Sequence, residues 1–345
     1  MDIRIYNFEF TLLAVVRDVV SSSWTLRYNG VGTYEGHFKL NSPAAEMILN
    51  NRYLVLTEGE NQAVCTGKIV GDEIVFCGRT VNWLLEKRVI PPFKTSVLFG
   101  EFVSPEDILW YVLKTGFIQP PEIDTETGAY IENSIDTAKQ VENFVLCPQI
   151  GADKLDRHFW RISANTVSRL VLDLTDMMAV GHRLVFDIEE KCWRFEYIVG
   201  EEREIVIAED YQNAYNTEYT EDLLDLAAGG WYQETNQNDD GDMYWNYVSR
   251  DSDLQGIYYW EAVLSGSGRT EAQNSLETRQ KISAAALDTA KLRFGVDYGL
   301  GDIFTIGIRK GAYQKKFRAQ VTGVNMWRIY NDSGEEPVLS VFEEE

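Results

Sequence analysis

The chain has 345 residues, 45% of them hydrophobic and 25% charged, which is enough for two or more globular domains with separate cores. Its 54 acidic residues outweigh 32 basic ones and leave a formal charge of −22. That balance excludes a protein that grips nucleic acid through its phosphates, since such a grip needs a basic face; acidity of this kind serves solubility first and a surface that sheds DNA second.

The N-terminal stretch MDIRIYNFEF has no basic segment ahead of an apolar one, so it does not read as a signal peptide. No run reaches the roughly 20 apolar residues of a membrane span. A soluble chain without a membrane anchor, made in the cytoplasm, is therefore expected. Cys65, Cys77, Cys147 and Cys192 lack the spacing of a zinc knuckle or redox pair. Cys65 and Cys77 fall in apolar, strand-like runs and read as buried free thiols.

Residues 3–40 read as strands. Ile3 and Ile5 alternate, as do Phe8, Phe10 and Leu12. Trp24, Leu26 and Tyr28 run into Asn29-Gly30, a strong turn signal. Ser42 as N-cap, Pro43 at N1 and Glu46 in the first turn open a short helix. Strands follow at 53–57, 63–70 and 73–77, with turns at 58–61 and 71–72. Residues 80–87 read as one short helix, and Pro91-Pro92 closes the unit. Strands with one or two short helices over about 90 residues describe a small β-barrel or sandwich.

A third helix begins at Ser104 as N-cap, with Pro105 at N1 and acids in its first turn. Its apolar face is Ile108, Val112 and Leu113, and Gly116 with Pro120-Pro121 is expected to stop it. The acidic stretch 119–136 reads as a loop. Residues 166–179 predict another helix, with Val167, Leu170, Val171 and Leu174 on one face and Gly181 as its stop. A hairpin is expected over 183–188 and 193–199, then a turn at 200–203 and a strand at 205–207. Residues 211–219 and 223–232 mix strand and loop, 236–242 is a polar loop, and 245–260 is aromatic and strand-like. Thr270 as N-cap and Gln273 at N3 predict a helix over 270–293, carried by a weak stripe of Leu276, Ile282, Ala286 and Ala290.

The stretch 298–330 reads as one long β-hairpin. Phe304, Ile306 and Ile308 alternate with Ile303, Thr305 and Gly307. Gly311 supplies the positive φ of the turn. The return strand sets Phe317, Ala319 and Val321 against Arg318, Gln320 and Thr322, and Gly323 breaks the alternation as a bulge would. The tail, 335–345, is acidic. No internal repeat is visible.

Few residues carry recognisable chemistry. Asn236, Asn238, Asp240 and Gly241 match the first half of a calcium loop, but its twelfth position is Tyr247 instead of a bidentate glutamate, so an exposed polar turn is the simpler reading. Asp173 and Asp176 lie on a helix and read as surface acids, not as a glycosidase pair. His37, His158 and His182 are far apart, with no HExxH pattern. No GxSxG or Walker sequence is present, and Gly30-Val31-Gly32 and Gly266-Ser267-Gly268 lack the strand–helix context of a nucleotide site. Trp231, Tyr232, Trp245, Tyr258, Tyr259 and Trp260 offer either a sugar-stacking platform or an interface or core, and the second is the more general use of such residues. An enzyme, a bound metal and a cofactor are all unexpected.

The order of segments resembles the phage tail baseplate hub family. The resemblance rests on Trp24-Thr25-Leu26-Arg27-Tyr28 with Gly32, Gly36 and Phe38, and on 76–80 leading into 83–88. It continues in 195–201 with 213–219, and in Tyr298-Gly299-Leu300-Gly301-Asp302 with the hairpin beyond. It spans most of the chain in pattern; the motifs are structural glycines and apolar positions. The acidic 200–203 and the insertion around 233–268 depart from it. The resemblance implies a mainly β fold with α+β insertions, containing two tail-tube-like β-barrels. The first barrel would span 1–97, an α/β intermediate domain 98–180, the second barrel 181–232 with 294–345, and an insertion 233–293. It implies a non-enzymatic homotrimer in the virion, joining a hexameric tail tube or distal tail protein to a spike, fibre or tape-measure protein. DNA would pass through its acidic lumen without specific binding. Gly301, Asp302, Ile306, Gly311, Trp245 and Trp260 are the candidates for structural or interface roles. The alternative is a carbohydrate-binding or cell-wall-hydrolysing tail protein, which needs the aromatic cluster or a carboxylate pair exposed in a cleft.

Overall fold

The computed structural model describes residues 2–17, 19–90, 104–126, 128, 130–131, 133–152, 165–222, 227–235, 243–249, 255–264, 276, 279–285, 292–330 and 332–344. The first part of the chain forms β1 (Ile3–Asn7), β2 (Leu12–Val16), β3 (Val19–Arg27), β4 (Thr33–Lys39), helix α1 (Pro43–Asn50), β5 (Leu54–Glu58), β6 (Asn61–Val70) and β7 (Glu73–Thr80). A 3₁₀ turn, Val81–Lys87, leads to β8 (Val89–Ile90). The middle holds α2 (Pro105–Leu113), β9 (Phe144–Leu146), β10 (Asn165–Thr166), α3 (Val167–Met177), β11 (Gly181–Asp187) and β12 (Cys192–Ile198). The last part holds β13 (Glu202–Ala208), β14 (Tyr215–Asp222), β15 (Gly229–Thr235), β16 (Met243–Ser249), β17 (Glu261–Leu264), β18 (Arg279–Ala285), β19 (Ile303–Lys310), β20 (Tyr313–Ile329) and β21 (Asp332–Glu344).

One sheet of eleven strands dominates, in the order β13-β19-β20-β3-β4-β7-β6-β5-β1-β2, with β21 on the free edge of β20. The long strand β20 joins its two halves. Its first residues pair with β19, Ile306 opposite Phe317. Its last seven pair with β3, Gly323 opposite Arg27 through Ile329 opposite Ser21. The ladder to β21 runs along the other edge and shifts register between Val321 and Gly323, at the glycine expected to bulge. The turn is also as expected: Lys310 pairs with Tyr313, and Gly311 at φ 61° takes the first position of a two-residue hairpin loop.

The helix starts follow from local chemistry. Ser42 accepts from the Ala45 amide, and Ser104 and Asp107 form a reciprocal capping box. Gly116 does not stop α2; the helix continues as one π turn, Lys114–Ile118, and ends before Pro120. Gly181 is likewise not a helix stop. Ala179, at φ 53°, closes α3, and Gly181 opens β11. The helix expected at 270–293 is a correction of a different kind. Arg279–Ala285 is strand β18, paired antiparallel with β14 through Tyr219 opposite Ile282. A long-range partner outweighs a weak helical stripe there.

Among the described residues, three cores result, with a smaller fourth. β1 and β5 divide their faces between two of them: Ile3, Ile5, Leu54 and Leu56 point into one cluster with Phe38 and Phe76, while Tyr6 and Val55 point into another with α2, α3 and Phe186. Every residue of β5 is consequently buried. The third core is that of the hairpin, in which Phe304, Ile306, Ile308, Phe317, Ala319 and Val321 meet as the alternation requires. Among the described strands, β11 and β12 pair with β9 and not with those that follow them. Cys65 and Cys77 are free but half-buried, not buried: β7 turns Ile74, Phe76 and Gly78 inward and Cys77 outward.

Candidate functional site

The parts of the chain meet at the Tyr28 ring, just past the end of β3. A Cβ on Gly181 or on Gly301 would strike this ring, and a Cβ on Gly200 would strike the Gly301 carbonyl. Two glycines from distant segments therefore close on one aromatic side chain, and a third backs the second of them. Gly301 also needs its φ of 88°, which a side chain would strain. Backbone bonds complete the joint: Tyr28 donates to the Thr322 carbonyl at 2.9 Å and accepts from the His182 amide at 3.3 Å. Burial pushes the Tyr28 hydroxyl above its usual pKa.

Asp302 secures the C-terminal side of this joint. It is buried, and its carboxylate accepts from the Glu201 amide at 2.8 Å, the Gly299 amide at 2.9 Å and Arg203 Nε at 2.8 Å. The pairing holds Arg203 above its usual pKa. Two further ties join distant segments, the first across the halves of the large sheet and the second to β11. Glu58 on β5 accepts from Trp24 Nε1 at 2.8 Å and lies 3.0 Å from Arg328 Nη1 on β20. Asn82 donates to the carbonyls of Gly30 and His182 and accepts from the Leu184 amide.

His182 is fully buried beneath the joint. The Thr175 hydroxyl donates to the Val171 carbonyl at 2.9 Å, so it accepts from His182 Nδ1–H across 3.1 Å. Nε2 has no partner. A proton there would stand buried and unbonded, and desolvation accordingly lowers the pKa to about 4.

A second surface lies on the small sheet β16-β15-β17. One face is packed, with Tyr232, Val248 and Leu264 buried alongside Leu276. On the other, Trp231 stands opposite Tyr247 and Val263, and Trp245 opposite Gln233. Trp231, Trp245, Tyr247 and Val263 are all exposed, as are Tyr259 and Trp260 just before β17.

The structure thus brings Gly301 and Asp302 together at the joint, buries Ile306 in the hairpin core, and sets Trp245 on the small sheet and Trp260 just before its strand β17. Gly311 stands apart at an exposed hairpin tip. Tyr28, Gly181, Gly200, Glu58 and Arg328 were not legible as a group, because each acts through a partner more than a hundred residues away or across the sheet. The polar stretch 236–242 and His158 lie outside the described residues. Among the described residues, no group of three His, Cys, Asp or Glu is placed to hold a metal, and no helix is long and apolar enough to cross a membrane.

Solved structures share this architecture across their whole length. A tail protein from Neisseria meningitidis MC58 is 9% identical, with a TM-score of 0.54 over 100% of this chain and 96% of that one. The 43 kDa tail protein of prophage MuSo2 from Shewanella oneidensis is 8% identical, at 0.53 over 99% and 98%. Prophage tail protein gp18 from Listeria monocytogenes EGD-e is 12% identical, at 0.52 over 99% and 94%. At such identities the likeness is one of fold. No curated protein matches the chain. A family model does match, over residues 2–228, about two thirds of the sequence, and on that match the chain belongs to the Siphovirus ReqiPepy6 Gp37-like protein family, a family of phage tail proteins.

Proposed function

We propose that this tail protein is a hub: three copies form a ring that joins a hexameric tail tube to the baseplate and its spike or fibre. Each copy contributes two tube-like barrels, one built on β1–β7 and the other on β13 and β19–β21, so a ring of three presents six. Residues 98–180 then form an intermediate unit, to which β11 and β12 are joined by pairing, and 233–293 an insertion. The observation that carries this reading is strand β20, which hydrogen-bonds to β19 and then to β3. A part placed between a tube and its tip has to hold its two attachment regions in fixed relation, and a shared strand does so without a hinge. The charge of −22 supports an acidic lumen along which DNA slides without adsorbing.

Gold-labelled antibody against the chain, imaged on intact tails, tests the placement. Label confined to the end of the tube away from the capsid is expected. Label along the tube, or only on free fibres, would overturn it.

A further inference from the structure

The exposed face of the small sheet is not explained by a role as a joint. Trp231 and Tyr247 meet edge to face, with centroids 5.0 Å apart. Tyr247 lies across Gly229, where any side chain would strike its hydroxyl. That gap lets the Tyr247 hydroxyl reach Glu261 Oε1 at 3.0 Å and Tyr259 Oη at 3.0 Å. Since Tyr247 donates to the carboxylate, Tyr259 is the donor to Tyr247. Aromatic faces and a pre-ordered row of hydroxyls and a carboxylate therefore share one exposed surface.

We infer that this face binds a neutral, hydroxyl-rich polysaccharide, with Trp231 and Trp245 stacking on sugar rings and the Tyr247–Tyr259–Glu261 row bonding sugar hydroxyls. The charge argues for a neutral ligand. A carboxylate is fixed within the patch, on a chain of −22, and both repel phosphate- or carboxylate-bearing polymers. The same carboxylate argues against an apolar protein anchor, which would strip water from Glu261 without replacing it. Sugar hydroxyls both donate and accept, so they match a row that presents both functions, while their C–H faces suit aromatic rings.

The test is tryptophan fluorescence of the full chain titrated with chitohexaose, cellohexaose, maltohexaose and dextran, with molecular mass measured in parallel. Saturable quenching by at least one of these is expected. Trp231→Ala and Trp245→Ala should each weaken it by roughly tenfold or more, with Tyr247→Phe weakening it less. These side chains are exposed, so unchanged thermal melting is expected to confirm that the variants fold. The inference is overturned if no probe quenches at millimolar concentration, or if both tryptophan variants bind as well as the parent. It is equally overturned if those variants alter the mass of the particle and no saccharide binds, which would make the face a contact between copies.

Discussion

Single residues at the joint act by fitting, and that makes their effects unequal. Gly301 and Gly311 both hold a positive φ, but only Gly301 faces the Tyr28 ring; Gly311 faces open space. Gly301→Ala therefore combines backbone strain with a clash and is expected to cost about 3 kcal/mol, against about 1 kcal/mol for Gly311→Ala. Urea denaturation of the two variants checks the ranking, and equal losses would remove Gly301 from the joint. His182 gives a pH signature. Its pKa is lowered to about 4 in the folded chain, against about 6.5 when unfolded. Between those values the unfolded state binds more protons, so stability falls as pH drops from about 6.5 towards 4, by roughly 3 kcal/mol in all, and is full above that window. Replacing the histidine by glutamine should flatten the change in melting temperature between pH 7 and pH 5. An unchanged slope would show that other groups carry it.

At the level of elements, what was legible in the sequence is what chain neighbours decide. Ser42-Pro43 and Ser104-Pro105 begin helices because a cap and its amide lie three residues apart. The 303–322 alternation predicts its buried face because one strand face meets one core. Where a distant partner decides, the sequence is silent or misleading. The cap-like Thr270 and Gln273 predict a helix, while Arg279–Ala285 is held extended by β14. Nothing in Tyr313–Ile329 announces that its second half will pair with β3, some three hundred residues earlier. The joint was half legible: Gly301 and Asp302 stand out beside the hairpin, but Tyr28, Gly181 and Gly200 become partners only through that pairing. The central strand offers a direct check. Ile306 is bracketed by Phe317 on β20 and Ile207 on β13. Ile306→Pro removes a ladder donor between two paired neighbours and should cost at least about 2 kcal/mol, with loss of assembly by sedimentation. Normal particles from this variant would show that β19 does not organise the second half.

For the whole molecule, one continuous sheet ties β1–β7 to β13 and β19–β21, and the proposed hub closes three such chains into a ring. Closed rotational symmetry is the usual arrangement of identical subunits, and a ring of three leaves no heterologous edge to propagate into a fibre. The packing of Gly181 and Gly301 against Tyr28 and the Tyr28 amide's bond to the Thr322 carbonyl tie the halves of that sheet and the segment after α3 together. The most direct measurement is the mass of the assembled, purified protein by light scattering, with class averages from negative-stain images. Three copies of the 39.5 kDa chain in a ring with a central opening are expected. A stable monomer at working concentration, or a closed ring of any other number, would contradict the proposed hub.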